Sequence, residues 1–291
     1  MSTAVASVRL EYQTSTWVPV PEPRVSWVTE SDVAGWRQLA AELAWNDGVT
    51  TVNVQLDGPE QVLVAWPFAA LPPHQAGTLR VRVQGVDGWT DWSEPQPVVA
   101  AFMADGEWQA EFIGLPDPDR YAQPALLRHE FEVADGLLRA TLYATALGVY
   151  QAQVNGHEVD DQLLKPGWTP YQYRLVHETT DVTALVTVGT NAIGVALAGG
   201  WYTESYGFQG LAKPFYGTQP AFAGQVLLEY ADGSSEWIAT GVDWLAHGEG
   251  PWQDAGIYAG ETFDARRTPP AWLAPGAGTD RRSTHRHRST P

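Results

Sequence analysis

The sequence predicts an all-β protein made of two consecutive sandwiches. Three observations carry this. Short apolar stretches recur between turn-forming pairs of Gly, Asn and Asp, apolar and polar residues alternate within those stretches, and helical periodicity is confined to short pieces. A chain of 291 residues is long for one sandwich and comfortable for two, since single domains settle at about 100–200 residues. Hydrophobic residues at 44% supply enough apolar surface for closed cores, and charged residues at 18% are too sparse for a disordered chain.

The first series of strands runs from Val25 to about Val99. Ser26-Trp27-Val28, Thr51 to Leu56 and Gln61 to Trp66 read as strands, punctuated by Asn46-Asp47-Gly48 and Asp57-Gly58-Pro59. Leu79-Arg80-Val81-Arg82-Val83-Gln84 alternates most clearly: Leu79, Val81 and Val83 share one face, while Arg80, Arg82 and Gln84 face water. Asp87-Gly88 then turns the chain into Trp89-Thr90-Asp91-Trp92-Ser93-Glu94-Pro95, the start of a last strand. A boundary is expected between Met103 and Pro118. Beyond it, Leu126 to Val133, Ala140 to Gly148 and Val149 to Val154 read as strands, the last turned by Asn155-Gly156, the strongest short hairpin signal. Asn191 to Leu197, Gln225 to Tyr230 and Glu236 to Thr240 follow, with Asp232-Gly233 between the last two. Predicted helices are short, Gly35 to Ala44 and Asp181 to Val186. The expected spans are therefore residues 1–104 and 105–272 for the two sandwiches, the second a jelly roll, and 273–291 for a disordered tail crowded with Arg281, Arg282, His285, Arg286, His287 and Arg288.

Composition excludes several function classes. A formal charge of −17, with 34 acids against 17 bases, is wrong for a nucleic-acid backbone and suits a neutral ligand or a cation. Cysteine is absent, which removes disulfides, a thiolate nucleophile and thiolate zinc ligands. No stretch of about 18 apolar residues predicts a membrane span, and Met1 to Leu10 lacks a basic stretch followed by an apolar one, so a cytoplasmic location is the default expectation. Neither a phosphate-cradling glycine loop nor a dinucleotide fingerprint is present. His285 and His287 have no partner acid beyond Asp280 and read as solvated residues rather than a metal pair. Fourteen Trp and eleven Tyr against two Met supply many rigid rings, suited both to sandwich cores and to stacking on sugars.

Certain motifs are more specific than these patterns. Ala146-Leu147-Gly148-Val149-Tyr150-Gln151-Ala152-Gln153-Val154-Asn155-Gly156 is followed in order by Pro166-Gly167-Trp168-Thr169, Thr180-Asp181-Val182-Thr183 and Gly199-Gly200-Trp201-Tyr202. Further on come Asp232-Gly233 with Trp237, and Ile257-Tyr258-Ala259-Gly260-Glu261-Thr262-Phe263-Asp264-Ala265-Arg266. Together these resemble the N-terminal domain of bacterial α-L-rhamnosidases over about residues 110 to 270, and the late Trp-Ser-Glu-Pro turn of the first hundred residues resembles a fibronectin type III-like domain. The resemblance implies an accessory portion of an inverting glycoside hydrolase that acts on terminal α-L-rhamnose, with rhamnose-containing glycosides or polysaccharides as ligands. In that family an (α/α)₆ barrel carries the acid and the base. The chain is expected to end before it, and so to be inactive alone and to partner a separate or lost catalytic domain.

The resemblance also nominates residues. The family's domain helps to recognise substrate, in some members with calcium, and its acidic position falls on Asp161. The neighbours are Asp160, where the family usually has Gly, and Gln162, where it has Asp or Asn, so Asp160 and Asp161 are the candidate calcium ligands and Asp161 and Gln162 the candidate sugar contacts. The competing reading makes these exposed turn acids. Trp168, Trp201 and Tyr202 are the aromatic candidates, since ring faces pack against the C–H groups and methyl of rhamnose, with core packing as the plainer alternative. Lys213, Pro214, Phe215 and Tyr216 form a polar and aromatic loop that by family position approaches the same site, or else a surface loop. Gly148, Gly156 and Gly167 are expected to serve backbone geometry. No opposed pair of carboxyls, which inverting hydrolysis needs roughly 6.5–9.5 Å apart, can be nominated.

Overall fold

A computed structural model describes residues 3–11, 16–101, 106–207, 213–269 and 272–276. The chain divides into two compact units, Met1–Glu107 and Trp108–Pro291. The change of unit falls between Glu107 and Trp108. Most of the expected tail, 277–291, including His285 and His287, lies outside the described residues. No helix among the described residues is long and apolar enough to cross a membrane.

The first unit contains β1 (Thr3–Leu10), β2 (Trp17–Val18), β3 (Val25–Ser31), β4 (Ala40–Asn46), β5 (Thr51–Asp57), β6 (Ala76–Gly85), β7 (Gly88–Trp89) and β8 (Gln96–Ala100). β1 and β3 pair as a two-stranded sheet, and the larger sheet runs β2-β8-β6-β4-β5 with β7 added beside β6. The alternation read from the sequence sets the inner face: Leu79, Val81 and Val83 are fully buried and join Leu43, Trp45 and Trp27 in one core. Trp45 and Trp66 meet edge to face at 5.4 Å within it.

Three expectations are corrected in this unit. Gly35 to Ala44 is not a helix, because Ala40 to Asn46 pairs on both sides, with β5 and with β6; seven registered residues outweigh the helix propensity of Ala-Ala-Glu-Leu-Ala. Gln61 to Trp66 is not a strand but a loop with one bridge, Val25 to Val64. The last strand starts at Gln96, after Pro95, while Trp92 to Glu94 stay outside the ladder.

The second unit contains β9 (Ala125–Val133), β10 (Leu137–Leu147), β11 (Val149–Val154), β12 (His157–Glu158), β13 (Glu178–Asp181), β14 (Gly189–Ala198), β15 (Ser205–Tyr206), β16 (Lys213–Pro214), β17 (Ala221–Tyr230), β18 (Ser235–Ala239), β19 (Leu245–His247), β20 (Trp252–Gly256) and β21 (Gly260–Phe263). Two antiparallel sheets, β13-β10-β17-β18 and β12-β11-β14-β9-β19, enclose the core as a jelly-roll-like sandwich. Leu142, Val226 and Leu228 from one sheet pack against Leu127, Ile193, Val195 and Leu197 from the other. The Asp181 to Val186 helix reduces to a single 3-10 turn, Thr183–Leu185.

Two glycines shape the edge of this sandwich. Gly148 has φ +139°, and a Cβ there would come within 2.3 Å of the Ala198 carbonyl oxygen. Gly156 follows Asn155 in the left-handed region, φ +82° after +51°, the geometry a two-residue hairpin turn requires.

Candidate functional site

The segment after the Asn155-Gly156 turn carries the predicted polar residues, and its local chemistry separates them. Lys165 is 4% exposed, and its Nζ donates to both oxygens of Asp160, at 2.8 and 2.7 Å. The same ammonium lies 5.1 Å from the centre of the Tyr150 ring. Thr180 Oγ1 also donates to Asp160, at 3.3 Å. The main chain repeats the clip, Tyr150 N–H donating to the Lys165 carbonyl at 3.0 Å. Nearby, burial pushes the Glu178 carboxyl above its usual range, Asp160 adding to the shift and Lys165 opposing it. Asp160 is thus a structural acid that fastens residues 160–165 onto β11.

Asp161 faces solvent, and among the described residues its side chain makes no hydrogen bond or ion pair. Gln162 lines an apolar groove of about 650 Å³ with Leu163, Leu164, Gly200, Trp252 and Ile257. Leu163 and Leu164 are 83% and 51% exposed at its rim. Calcium takes six to eight oxygen ligands. Here one candidate carboxylate is spent on Lys165, the other stands alone, and no group of three or more His, Asp or Glu converges among the described residues. The residues present do not fit a calcium site.

The aromatic candidates do come together. Trp168 is 51% exposed and lies nearly parallel to two other rings, Trp201 at 6.4 Å and 9°, Tyr206 at 5.5 Å and 18°. Its Nε1 donates to the Tyr216 hydroxyl at 3.2 Å. Tyr171 then braces Tyr216 and Tyr202 edge to face, at 4.9 and 5.2 Å. The Tyr202 ring lies against Gly217, where a Cβ would collide with it. Tyr206 donates its hydroxyl to the Trp201 carbonyl at 2.8 Å. Burial, with Tyr216, Tyr258 and Glu204 nearby, pushes the Tyr206 phenol up to about 12, and burial also raises Tyr171 and Tyr202. These phenols stay neutral donors at ordinary pH. Pro214 sits in the short β15-β16 ribbon that frames the patch, opposite Ser205, and is exposed.

The site is therefore an aromatic patch beside a groove. Tyr171, Tyr206 and Lys165 belong to it and were not singled out from the sequence. A signal for the two tyrosines exists: aromatic residues crowd Trp168 to Tyr173 and Trp201 to Tyr206, which are turn-rich rather than strand-like segments. Nothing local marks Lys165, whose partner is set by the loop's closure.

Fold and site together define a β-sandwich protein of the jelly-roll class with an exposed patch of packed rings. A family model described as "Alpha-L-rhamnosidase N-terminal domain" matches residues 136–291, and the chain belongs to that family. A second, described as "Rha78A-like, N-terminal immunoglobulin domain", matches residues 5–104; the first unit is thus classed as immunoglobulin-like, a sandwich architecture shared with fibronectin type III. An α-L-rhamnosidase of Streptomyces avermitilis is 42% identical over 65% of this chain and 18% of its own length, and one of Formosa agariphila is 34% identical over 64% and 21%. The chain thus spans about a fifth of the length of the curated relatives it matches. Among solved structures, the native rhamnosidase of Aspergillus terreus superposes with a TM-score of 0.92 at 32% identity, covering 100% of this chain and 34% of that one. The Streptomyces avermitilis α-L-rhamnosidase complexed with L-rhamnose shares the fold at TM-score 0.88 and 22% identity, over 97% and 44% of the two chains.

Proposed function

We propose that this chain is the substrate-recognising portion of an α-L-rhamnosidase, its second sandwich holding terminal α-L-rhamnose of a glycoside or polysaccharide for a catalytic domain. The observation that carries this is Trp168: a half-exposed indole locked by Trp201, Tyr206 and the Tyr216 hydroxyl. A pre-positioned ring loses little side-chain freedom on binding, so stacking against the sugar's C–H face and methyl yields net affinity. Gln162, in the groove, and its neighbour Asp161 are the candidate hydroxyl partners.

Titration of the full chain with L-rhamnose tests the reading. Saturable binding is expected, weakened about tenfold by Trp168→Ala, which removes one stacking surface, with little change in Tm. Binding is expected to be the same with EDTA as with added calcium, because no calcium ligand set is gathered among the described residues. Affinity unchanged in both Trp168→Ala and Asp161→Ala would remove the assignment. Hydrolysis of an aryl rhamnoside is not expected, since Glu261 is the one carboxyl among the residues lining the groove and an inverting mechanism needs two.

The groove favours a second reading, that of a docking scaffold for a catalytic domain. Leu163 and Leu164 are apolar residues held open to solvent, as expected of a surface that another domain covers. Leu163→Asp would then abolish capture of a separately produced catalytic domain and leave rhamnose titration untouched.

A further inference from the structure

Away from the aromatic patch, the outer face of the first sandwich carries a recess of its own. Register places Asn53, Ala44 and Arg80 side by side across β5, β4 and β6, with Asn46 and Thr78 in the adjoining row. The inner face is taken by Leu43, Trp45, Leu79 and Val81, so these residues point outward. Ala44 has only a methyl between two longer side chains, which leaves the row hollow at its middle. The hollow measures about 470 Å³ and is closed on one side by Trp92 and Pro95.

The walls are fixed and their charges nearly all matched. The Arg82 guanidinium lies over the rings of Trp89 and Trp92, at 5.0 and 4.7 Å, and its Nε donates to Glu42 at 2.7 Å. The other Glu42 oxygen accepts from Asn53 Nδ2 at 3.2 Å. This fastens Trp92 and engages both oxygens of Glu42. Arg80 differs. It is exposed, and among the described residues it makes no hydrogen bond or ion pair. An unmatched guanidinium thus opens onto a polar hollow in a chain of charge −17.

We infer that this recess is a second saccharide site, which takes a carboxylated sugar, a hexuronate residue. Arg80 pairs with the carboxylate through its planar fork, Trp92 packs against the C–H face of the ring, and Asn53 and Thr78 exchange hydrogen bonds with hydroxyls, while the Asn46 amide is held by Thr51 and Gly48 as part of the wall. A neutral sugar would leave the guanidinium unused. A bare inorganic anion would leave the indole wall and the Asn53 amide unused. The site is in the other sandwich from the rhamnose patch and stands or falls independently of it.

The test is calorimetric titration of the full chain with a galacturonate disaccharide, its neutral methyl ester and inorganic sulfate. The free disaccharide is expected to bind saturably and the ester about tenfold more weakly. Arg80→Ala is expected to cost about tenfold in affinity without lowering Tm, and Arg80→Lys to retain part of it, as loss of one charge-assisted contact implies. Trp168→Ala is expected to leave this binding unchanged. Equal binding of the ester, loss of binding in Trp168→Ala, displacement by sulfate as effective as by the sugar, or no saturable heat at all would each overturn the assignment.

Discussion

Lys165 shows how one residue can be structural where its setting invites a functional reading. An ammonium that is 4% exposed has lost almost all its water, and both oxygens of Asp160 and the Tyr150 ring replace it. Removing one member of such a pair strands the other, so Lys165→Ala should lower unfolding free energy by about 3 kcal/mol, read by urea denaturation. The paired variant Lys165→Met with Asp160→Leu should recover most of it, because two apolar groups leave no stranded charge. If Lys165→Ala alone costs nothing, the clip is not what holds residues 160–165. Of these residues, Asp160 could be picked from the sequence as an acid before Pro-Gly-Trp-Thr. Its partner could not, since a lysine five positions on is as easily a solvated surface residue. Likewise Trp168 was identifiable from its motif, whereas Tyr216, which binds its indole nitrogen from 48 residues away, needed the fold.

At the scale of elements, the end of the second sandwich is tied down by a buried arginine on β9. Arg128 is 3% exposed; its Nε donates to the Trp272 carbonyl at 2.5 Å and its Nη2 to that of Ala274 at 2.9 Å. Gly276 N–H donates to Glu130 at 2.8 Å, and Leu273 occupies the space that a side chain at Gly194 would fill, with its Cδ2 1.8 Å from the Cβ position. Residues 272–276 are thus a strap on the sheet. Arg128→Leu should expose the Gly276 amide to rapid hydrogen exchange while β10 and β17, buried along most of their length, keep their protection. Unchanged exchange at Gly276 would mean the strap is held by Leu273 alone. The strand content was readable because alternation and turn pairs are local. The strap was not, because a sequence shows an arginine in a strand without showing which carbonyls it will meet.

For the whole molecule, charge and burial together set a pH range of stability. Burial lowers His129, His177 and His247 below the usual histidine range, and for His129 it outweighs the nearby Asp243 carboxylate. A depressed histidine contributes stability that is present above its unfolded pKa of about 6.5 and lost as pH falls through the folded value. Tyr206, raised to about 12, contributes stability present below about 10 and lost as pH climbs toward 12. Tm should therefore hold steady between these limits and decline on both sides. His129→Phe, which keeps a ring stacked on Trp244 at a site now 5.4 Å from it, should flatten part of the acid limb. An acid limb identical in that variant would remove His129 from the account.

The amino-acid order by itself determined the class of fold, the two sandwiches and the family, because period-two alternation, Asn-Gly and Asp-Gly turns and contiguous motifs are properties of neighbouring residues. Only the tertiary structure decided that Ala40 to Asn46 is a strand, that Asp160 pairs with Lys165, and that rings from three separate segments meet at Trp168. Those outcomes depend on which residues desolvate one another across the sheets, and the free energy of a contact between distant positions is fixed by closure of the core, not by the residues beside them in the chain.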